Sequence, residues 1–257
     1  LIIGGGYIGL EAAAVAAQSG LDVTVVEMAE RILQRVSAPQ TSNFFRKLHQ
    51  SHRVQIKEGV ALKRLKGNHD VVSSAIFSDG TEVDIDFAIV GIGIHPVTDI
   101  AEDAGLECSN GISVNQMGQT SDPAIWAAGD CCSFPYNGGR LRLESVPHAI
   151  DQGELVARNI TGAQLAYCPN PWFWSDQYDI KLQIAGLNNG FNQVVTRPTN
   201  KNTVSFWYYK DEQLIAVDAM NDPRAYMVGK RLIDAGKTAP KDFIKDVSFE
   251  LKNLLRT

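Results

Sequence analysis

Along the first third of the chain, apolar residues come in short continuous runs separated by stretches with helical spacing. Leu21-Asp22-Val23-Thr24-Val25-Val26-Glu27 reads as a buried strand, and the small apolar run Ala12 to Ala17 before it as a helix. Pro39 opens a second predicted helix, Gln40 to Ser51, whose Phe44, Phe45 and Leu48 fall on one face. A short third strand is predicted at Val54 to Lys57. The next runs, Val60 to Lys66, Val71 to Phe77 and Thr81 to Asp84, are divided by Gly67-Asn68 and Asp79-Gly80, which are hairpin signals. They predict an antiparallel meander set into an otherwise alternating strand–helix unit. Asp86-Phe87-Ala88-Ile89-Val90 returns as a buried strand and runs into Gly91-Ile92-Gly93.

The pattern changes after Gly93. Ile112 to Val114 and Ala124 to Ala128 read as strands, the second ending in Gly129-Asp130. Pro147 stands at the start of a helix that continues from Ala149 to Thr161. Further on, strands are predicted at Ile180 to Ala185, Gln193 to Arg197, Val204 to Tyr209 and Leu214 to Asp218. A helix from Pro223 to Ala235 and a terminal helix from Val247 to Leu255 follow. The expected fold class is α/β: a Rossmann-like domain with an inserted β-meander at residues 1–93, part of a second domain at 94–168, and a C-terminal α+β domain at 169–257.

Gly4, Gly6 and Gly9 sit where the first strand turns into the first helix, and Glu27 closes the next strand 18 residues after Gly9. G-x-G-x-x-G in that setting is the fingerprint of a dinucleotide site. Gly4 permits the tight turn, Gly6 lets a pyrophosphate approach the backbone, and Gly9 lets the helix pack close on the strand. Tyr7 and Ile8 belong to the same expected cofactor-binding turn, where the helix N-terminus offers unpaired N–H groups to phosphates. Glu27 is expected to accept hydrogen bonds from the adenosine ribose hydroxyls. A 2′-phosphate there would meet a like charge, a repulsion of about 4 kcal/mol at ~4 Å and an effective dielectric of about 20. Glu30 stands beside Arg31, the nearby cation that would soften it, so the expected cofactor is NAD rather than NADP. Asp130, just past the carboxyl end of a predicted strand, lies where open α/β sheets bind ligands, and Gly129 leaves room for backbone approach.

Composition narrows the class. With 24 basic and 29 acidic residues the net charge is −5, which carries no nucleic-acid or polybasic membrane signature. No apolar stretch approaches the ~18 residues of a membrane span. The expectation is a cytoplasmic enzyme with neither nucleic acid nor membrane as partner. Cys108, Cys131, Cys132 and Cys168 form no C-x-x-C pair and no zinc spacing, and the neighbours Cys131 and Cys132 read as small buried thiols rather than a strained disulfide. His49 and His52 read as a solvated pair at a helix end, and no metal is expected. Only Leu1 to Ile3 precede the glycines, without an initiating methionine, so the chain is expected to be the C-terminal part of a longer protein.

Several segments together resemble one family. Thr120-Ser121-Asp122-Pro123-Ala124-Ile125-Trp126-Ala127-Ala128-Gly129-Asp130 is similar to the second FAD motif of the two-dinucleotide-binding flavoprotein reductases. Gly4 to Glu11 matches their NAD motif, and Gly91-Ile92-Gly93-Ile94-His95-Pro96 the strand end leading back to the FAD domain. Arg142-Leu143-Glu144-Ser145-Val146-Pro147-His148-Ala149 and Pro171-Trp172-Phe173-Trp174-Ser175-Asp176-Gln177 resemble the group of putidaredoxin reductase, rubredoxin reductase and the reductase components of aromatic-ring dioxygenases. The resemblance implies hydride transfer from NADH to FAD, then single electrons to a ferredoxin or rubredoxin that serves an oxygenase. It implies a ribityl contact for Asp130, a helix N-terminus at Val146 and Pro147 aimed at the flavin pyrimidine edge, and a cofactor contact near Gly93. Glu11 resembles the glutamate that orients the nicotinamide amide, Trp174 an aromatic beside the isoalloxazine, and Arg142 a basic residue at the acceptor surface. His95-Pro96-Val97 replaces the usual Pro-Asn, and His148 stands where Asn is common. The family's first FAD half, with its own glycine fingerprint and an active-site lysine, has no counterpart in this chain, which alone is not expected to hold FAD tightly.

Other readings share the two motifs. A pyridine-nucleotide disulfide reductase would carry a His–Glu pair in its last domain, and residues 169–257 contain no histidine. An apoptosis-inducing-factor-like redox sensor with an interaction role, and a bare nucleotide-binding module, are the remaining alternatives.

Overall fold

Leu1 to Gly93 runs β1 (Ile2–Ile3), α1 (Tyr7–Gln18), β2 (Thr24–Glu27), α2 (Pro39–Ser51), β3 (Gln55–Glu58), β4 (Leu62–Asn68), β5 (Val71–Phe77), β6 (Glu82–Asp84) and β7 (Ile89–Val90). In the computed structural model, which describes residues 1–200 and 202–256, β3-β2-β1-β7 form one parallel sheet. Val25 and Val26 are buried because helices and the meander cover both faces of the sheet. Helix α1 buries Gly9, Leu10, Ala13 and Ala14, and these mostly small residues bring its axis close to the strands. The antiparallel β4-β5-β6 meander is present, and its second turn falls at Asp79-Gly80, but Gly67 and Asn68 belong to β4 and the first hairpin turns two residues later, at His69-Asp70, both with positive φ.

The chain closes with β11 (Trp172–Gln177), β12 (Ile180–Gly186), β13 (Gln193–Asn200), β14 (Thr203–Lys210), β15 (Gln213–Met220), α5 (Pro223–Asp234), α6 (Lys241–Lys245) and a 3₁₀ turn at Leu251–Leu255; β8 to β10 fall in the segment between. Its sheet has the order β11-β12-β15-β14-β13. Leu10, Ile32, Leu33 and Phe45 share one core with Ile180, Leu182, Tyr208 and Met220, so this sheet packs on α1 and α2. Leu1–Gly93 and the segment from Trp174 onward therefore make one compact unit, and Ile94–Phe173 makes a second.

The second unit holds α3 (Asp99–Asp103), β8 (Ile112–Ser113), β9 (Cys132–Tyr136), β10 (Gly139–Leu141) and α4 (Val146–Ile160). Val114, Cys132, Phe134 and Tyr167 form its core. Ala124 to Ala128 is not a strand. Asp122 Oδ1 accepts from Ala124 N–H at 2.8 Å and Thr120 Oγ1 donates to the Ile125 carbonyl at 3.0 Å, so the run is wound into a turn, with only an isolated bridge between Gln119 and Trp126. The expected terminal helix is reduced to the 3₁₀ turn at Leu251–Leu255, and the stretch before it from Val247 is not helical. The buried Arg197 guanidinium collects the carbonyls of Ile244, Asp246, Val247 and Phe249, which holds that stretch out of helical pairing. Of the four thiols only Cys132 is buried, donating to Gln152 Oε1 at 2.9 Å; Cys168 is exposed and the other two are half-buried.

One buried acid sits in the shared core of the first unit. Asp218 on β15 is fully enclosed; its Oδ2 accepts from Thr41 Oγ1 at 2.7 Å and from the Tyr208 hydroxyl, while Oδ1 has no partner. Burial raises its pKa from 3.8 to about 6, with hydrogen bonding by Tyr208, Thr41 and Ser37 pulling the other way. A raised native pKa means the stabilising contribution is complete below about pH 4 and is lost as pH climbs through about 6. The rise corresponds to about 3 kcal/mol. Asp218→Asn keeps an acceptor for Tyr208 and Thr41 and does not titrate. Relative to wild type its unfolding free energy is expected to improve from about pH 4 to about pH 6 and to level off between there and pH 8. A difference that stays flat over that range would show that Asp218 titrates as an ordinary carboxylate.

Candidate functional site

The fingerprint turn is shaped by two glycines and left open by the third. Gly4 has φ +107°, and a Cβ there would stand 2.3 Å from the Gly91 carbonyl oxygen. A Cβ on Gly9 would stand 2.0 Å from the Gly4 carbonyl oxygen, so close approach of α1 to the turn excludes any side chain. Gly6 differs: its backbone is ordinary and extended, φ −78° and ψ −177°, and a Cβ would meet nothing within 4 Å. The fold does not require glycine at position 6. The open space lies at the N-terminus of α1, where no side chain caps the helix and no acid occupies its first turn. Unpaired N–H groups and the positive end of the helix dipole face that space, a setting that fits a pyrophosphate.

Glu27 ends β2 beside the same turn. Its Oε2 accepts from Gly5 N–H and its Oε1 from Ala29 N–H, each at 2.7 Å, so the carboxylate braces the turn on one side and its own loop on the other. Both oxygens retain acceptor capacity for a ribose hydroxyl. Arg31 donates to Ser42 Oγ and to the Ser37 carbonyl, 2.7 Å away in the second case, and among the described residues it makes no ion pair with Glu27. Ile8 is exposed, whereas Tyr7 turns inward, its hydroxyl 3.0 Å from Ser37 Oγ and its pKa pushed up by burial and then by Asp218. Gly93, at φ +107°, stands beside the exposed Arg35, whose Nη2 would lie 3.5 Å from a Cβ at that position. Arg35 carries no sequence signal of its own; only the folded loop brings it to Gly93.

Glu11 lies one turn further along α1 and accepts a hydrogen bond from Ser175 Oγ at 2.6 Å. Ser175 follows the half-buried Trp174 on β11, so two residues far apart in sequence meet across helix and strand. His49 is not solvated as expected: it is fully buried against Gln177, and the exposed His52 stacks on Tyr178 at 3.7 Å between ring centroids. Among the described residues no group of three or more His, Cys, Asp or Glu is arranged to hold a metal.

In the second unit, Gly129 adopts φ +82°, and its N–H donates to Gln152 Oε1 at 2.8 Å. The Asp130 carboxyl after it is exposed. Ser145 caps α4 by accepting from His148 N–H at 3.3 Å, and Pro147 has no N–H, which leaves Val146 N–H as a first-turn donor for a ligand. His148 is buried with Nδ1 2.8 Å from the Tyr167 hydroxyl, while Nε2 has no partner. Burial lowers its pKa, so the ring is neutral at pH 7 and the orphaned nitrogen is a polar atom that a ligand would satisfy. Gly129, Asp130, Val146 and His148 thus fit a polar cofactor edge. Arg142 does not have the expected freedom of a docking cation. Its side chain is only 9% exposed, paired with Glu144 at 2.6 Å and donating to the Asp130 carbonyl at 3.2 Å and to Asn110 Oδ1. It braces the Gly129-Asp130 turn instead.

Comparison with known proteins fits this geometry. A family model described as pyridine nucleotide-disulphide oxidoreductase matches residues 1–153, and one described as reductase C-terminal matches residues 172–255. A ferredoxin–NAD(P)(+) reductase of a Sphingomonas species is 41% identical, covering 99% of this chain and 63% of the relative. The crystal structure of the ferredoxin reductase for the CYP199A2 system of Rhodopseudomonas palustris superposes with a TM-score of 0.96 at 39% identity, covering 98% of this chain and 63% of that one. The covalent putidaredoxin reductase–putidaredoxin complex gives a TM-score of 0.94 at 36% identity, over 99% of this chain and 62% of that one. The chain thus spans less than two thirds of the length of these relatives. With the first family model matching more than half of its residues, the chain belongs to the pyridine nucleotide-disulphide oxidoreductase family.

Proposed function

We propose that the protein is an NADH-dependent flavoprotein reductase that passes electrons through FAD to a small iron–sulfur protein, a ferredoxin or rubredoxin serving an oxygenase. The observation that carries this reading is the open NAD-type cradle at Gly6, braced by Glu27, in a chain whose last segment matches a reductase C-terminal domain. Bound FAD would supply the means of taking a hydride and releasing its electrons singly. The residues of this chain do the holding. Gly6 and the N-terminus of α1 receive the NAD pyrophosphate, with Gly4, Tyr7, Ile8 and Gly9 forming the turn around it. Glu27 accepts from the adenosine ribose, and Glu11 orients the nicotinamide amide. In the other unit Asp130 accepts from a ribityl hydroxyl next to Gly129, and Val146 N–H and the His148 Nε2 face the flavin edge, with Pro147 starting the helix. Within the first unit, Trp174 and Gly93 are the remaining cofactor contacts in this reading.

The relatives described above bear the names of ferredoxin and putidaredoxin reductases, which supports that acceptor class for this chain. A disulfide substrate is disfavoured because residues 169–257 hold no histidine for thiol acid–base work. A cytoplasmic place suits such a reductase, and no helix among the described residues is long and apolar enough to cross a membrane. Acceptor choice tests the proposal. With NADH as donor, the flavin-loaded protein is expected to reduce a [2Fe–2S] ferredoxin or a rubredoxin and to leave lipoamide and glutathione disulfide untouched. Turnover of either disulfide, with none of the iron–sulfur proteins, would replace it by the disulfide-reductase reading.

A further inference from the structure

Behind Glu11 runs a line of buried polar side chains that the cofactor contacts alone do not explain. Ser175 Oγ donates to Glu11 Oε1 at 2.6 Å, and Gln177 Nε2 donates to Ser175 Oγ at 3.0 Å. Gln177 Oε1 in turn faces His49 Nε2 at 2.8 Å, and the Tyr178 hydroxyl faces His49 Nδ1 at 3.1 Å. Ser175, Gln177 and His49 are all fully buried, so none can exchange these partners for water.

The donors and acceptors are consistent in one direction only. The Ser175 hydroxyl has a single proton, and since its oxygen already receives the Gln177 amide, that proton goes to Glu11. Gln177 can point its amide at Ser175 only if its carbonyl accepts from His49, which fixes the ring as the Nε2–H tautomer. Burial lowers the His49 pKa, which favours that neutral form, and its free Nδ1 lone pair takes the Tyr178 proton. Every donor in the line therefore points toward the Glu11 carboxylate. Oε1 is committed and Oε2 has no partner among the described residues, so one acceptor is held in place for a ligand N–H.

We propose that Ser175, Gln177 and His49 are positioning residues for nicotinamide recognition, acting through Glu11 as a one-way hydrogen-bond relay from α2 and β11 to the NAD helix. This inference rests on the reading of Glu11 as the residue that meets the nicotinamide amide. Ser175 and Gln177 alternate on one face of β11, a period-two pairing visible in Ser175-Asp176-Gln177, but their partner Glu11 lies 164 residues away from Ser175.

Calorimetric titration of the flavin-loaded protein with NAD⁺ and with ADP-ribose, which lacks the nicotinamide, separates the possibilities. Ser175→Ala is expected to weaken NAD⁺ by about fivefold, the worth of one hydrogen bond, and to leave ADP-ribose unchanged. Gln177→Glu keeps the shape and the His49 contact but has no amide proton to give. The Ser175 hydroxyl then turns from Glu11 to Glu at position 177, and the same selective loss follows. Glu11→Ala should lose at least as much for NAD⁺ and nothing for ADP-ribose. If Glu11→Ala shows that loss while Ser175→Ala and Gln177→Glu do not, the relay is wrong and the role of Glu11 stands. If Glu11→Ala leaves both ligands unchanged, the underlying reading of Glu11 fails and the relay with it. A parallel loss of both ligands in the relay variants would mark them as structural and overturn the proposal.

Discussion

Glu27→Arg is expected to turn the protein from NADH toward NADPH, moving the ratio of the two kcat/KM values by about thirtyfold or more. The carboxylate that repels a 2′-phosphate becomes a cation that attracts it. Even at the dielectric of water each change is worth about 1 kcal/mol at ~4 Å, so the two together exceed about 2 kcal/mol. Arg31 stands in both proteins, held by Ser42 and the Ser37 carbonyl, so its charge is common to the two and drops out of the comparison. A second consequence follows from the bonds Glu27 makes to Gly5 N–H and Ala29 N–H. Arginine cannot accept them, so absolute rates with both cofactors should fall while the ratio inverts. Glu27→Gln, which keeps one acceptor oxygen and removes the charge, should land between the two. Steady-state kinetics with both cofactors measures this directly. An unchanged ratio in Glu27→Arg would remove Glu27 from the ribose site.

The glycines offer the other large effect, because the fold requires two of them and leaves the third to the proposed ligand site. Gly6→Ala should leave the melting temperature close to wild type and weaken NAD⁺ by about tenfold or more. Its backbone angles suit any residue and its Cβ meets no atom within 4 Å, so the folded protein accepts it at a cost of up to about 1 kcal/mol at a helix N-cap. The methyl occupies the space a phosphate oxygen would take, and overfilling such a space costs typically about 1–3 kcal/mol. Gly9→Ala should behave in the opposite way. Its Cβ would stand 2.0 Å from the Gly4 carbonyl oxygen, so α1 must move off the sheet and the protein should melt several degrees lower. Thermal melts and calorimetry on the two variants check both halves. Equal affinity for NAD⁺ in wild type and Gly6→Ala would mean that the open space at α1 is not the pyrophosphate site.

What could be read from the sequence follows how local each feature is. The turn at Gly4 to Gly9, the strand ending in Glu27, the helix opened by Pro39 and the meander with its turn at Asp79-Gly80 all depend on neighbours, and the structure has them, with the first hairpin turn displaced from Gly67-Asn68 to His69-Asp70. Features decided at long range were not visible. Arg197 reaches 52 residues ahead to the Phe249 carbonyl, and the helix expected from Val247 to Leu255 is cut to a 3₁₀ turn at Leu251–Leu255. Ala124 to Ala128 has strand-like composition, but the Asp122 and Thr120 side chains win the local competition for its backbone. The site divides along the same line. Gly6 and Glu27 stand where spacing predicts, whereas the burial of Arg142 under Glu144 and Asn110, the line from Glu11 to His49, and Arg35 beside Gly93 depend on contacts between distant segments.

The central claim, that this chain supplies the NADH site of a reductase for one-electron acceptors, is tested most directly by anaerobic rapid mixing. The flavin-loaded protein is mixed with a limiting amount of NADH and an excess of oxidised [2Fe–2S] ferredoxin, and both absorbances are followed together. The account predicts that NADH oxidation and ferredoxin reduction proceed together, with about two ferredoxins reduced for each NADH consumed, and that NADPH in its place is slow. NADH oxidised with the ferredoxin left unreduced, or NADPH oxidised as fast as NADH, would contradict it.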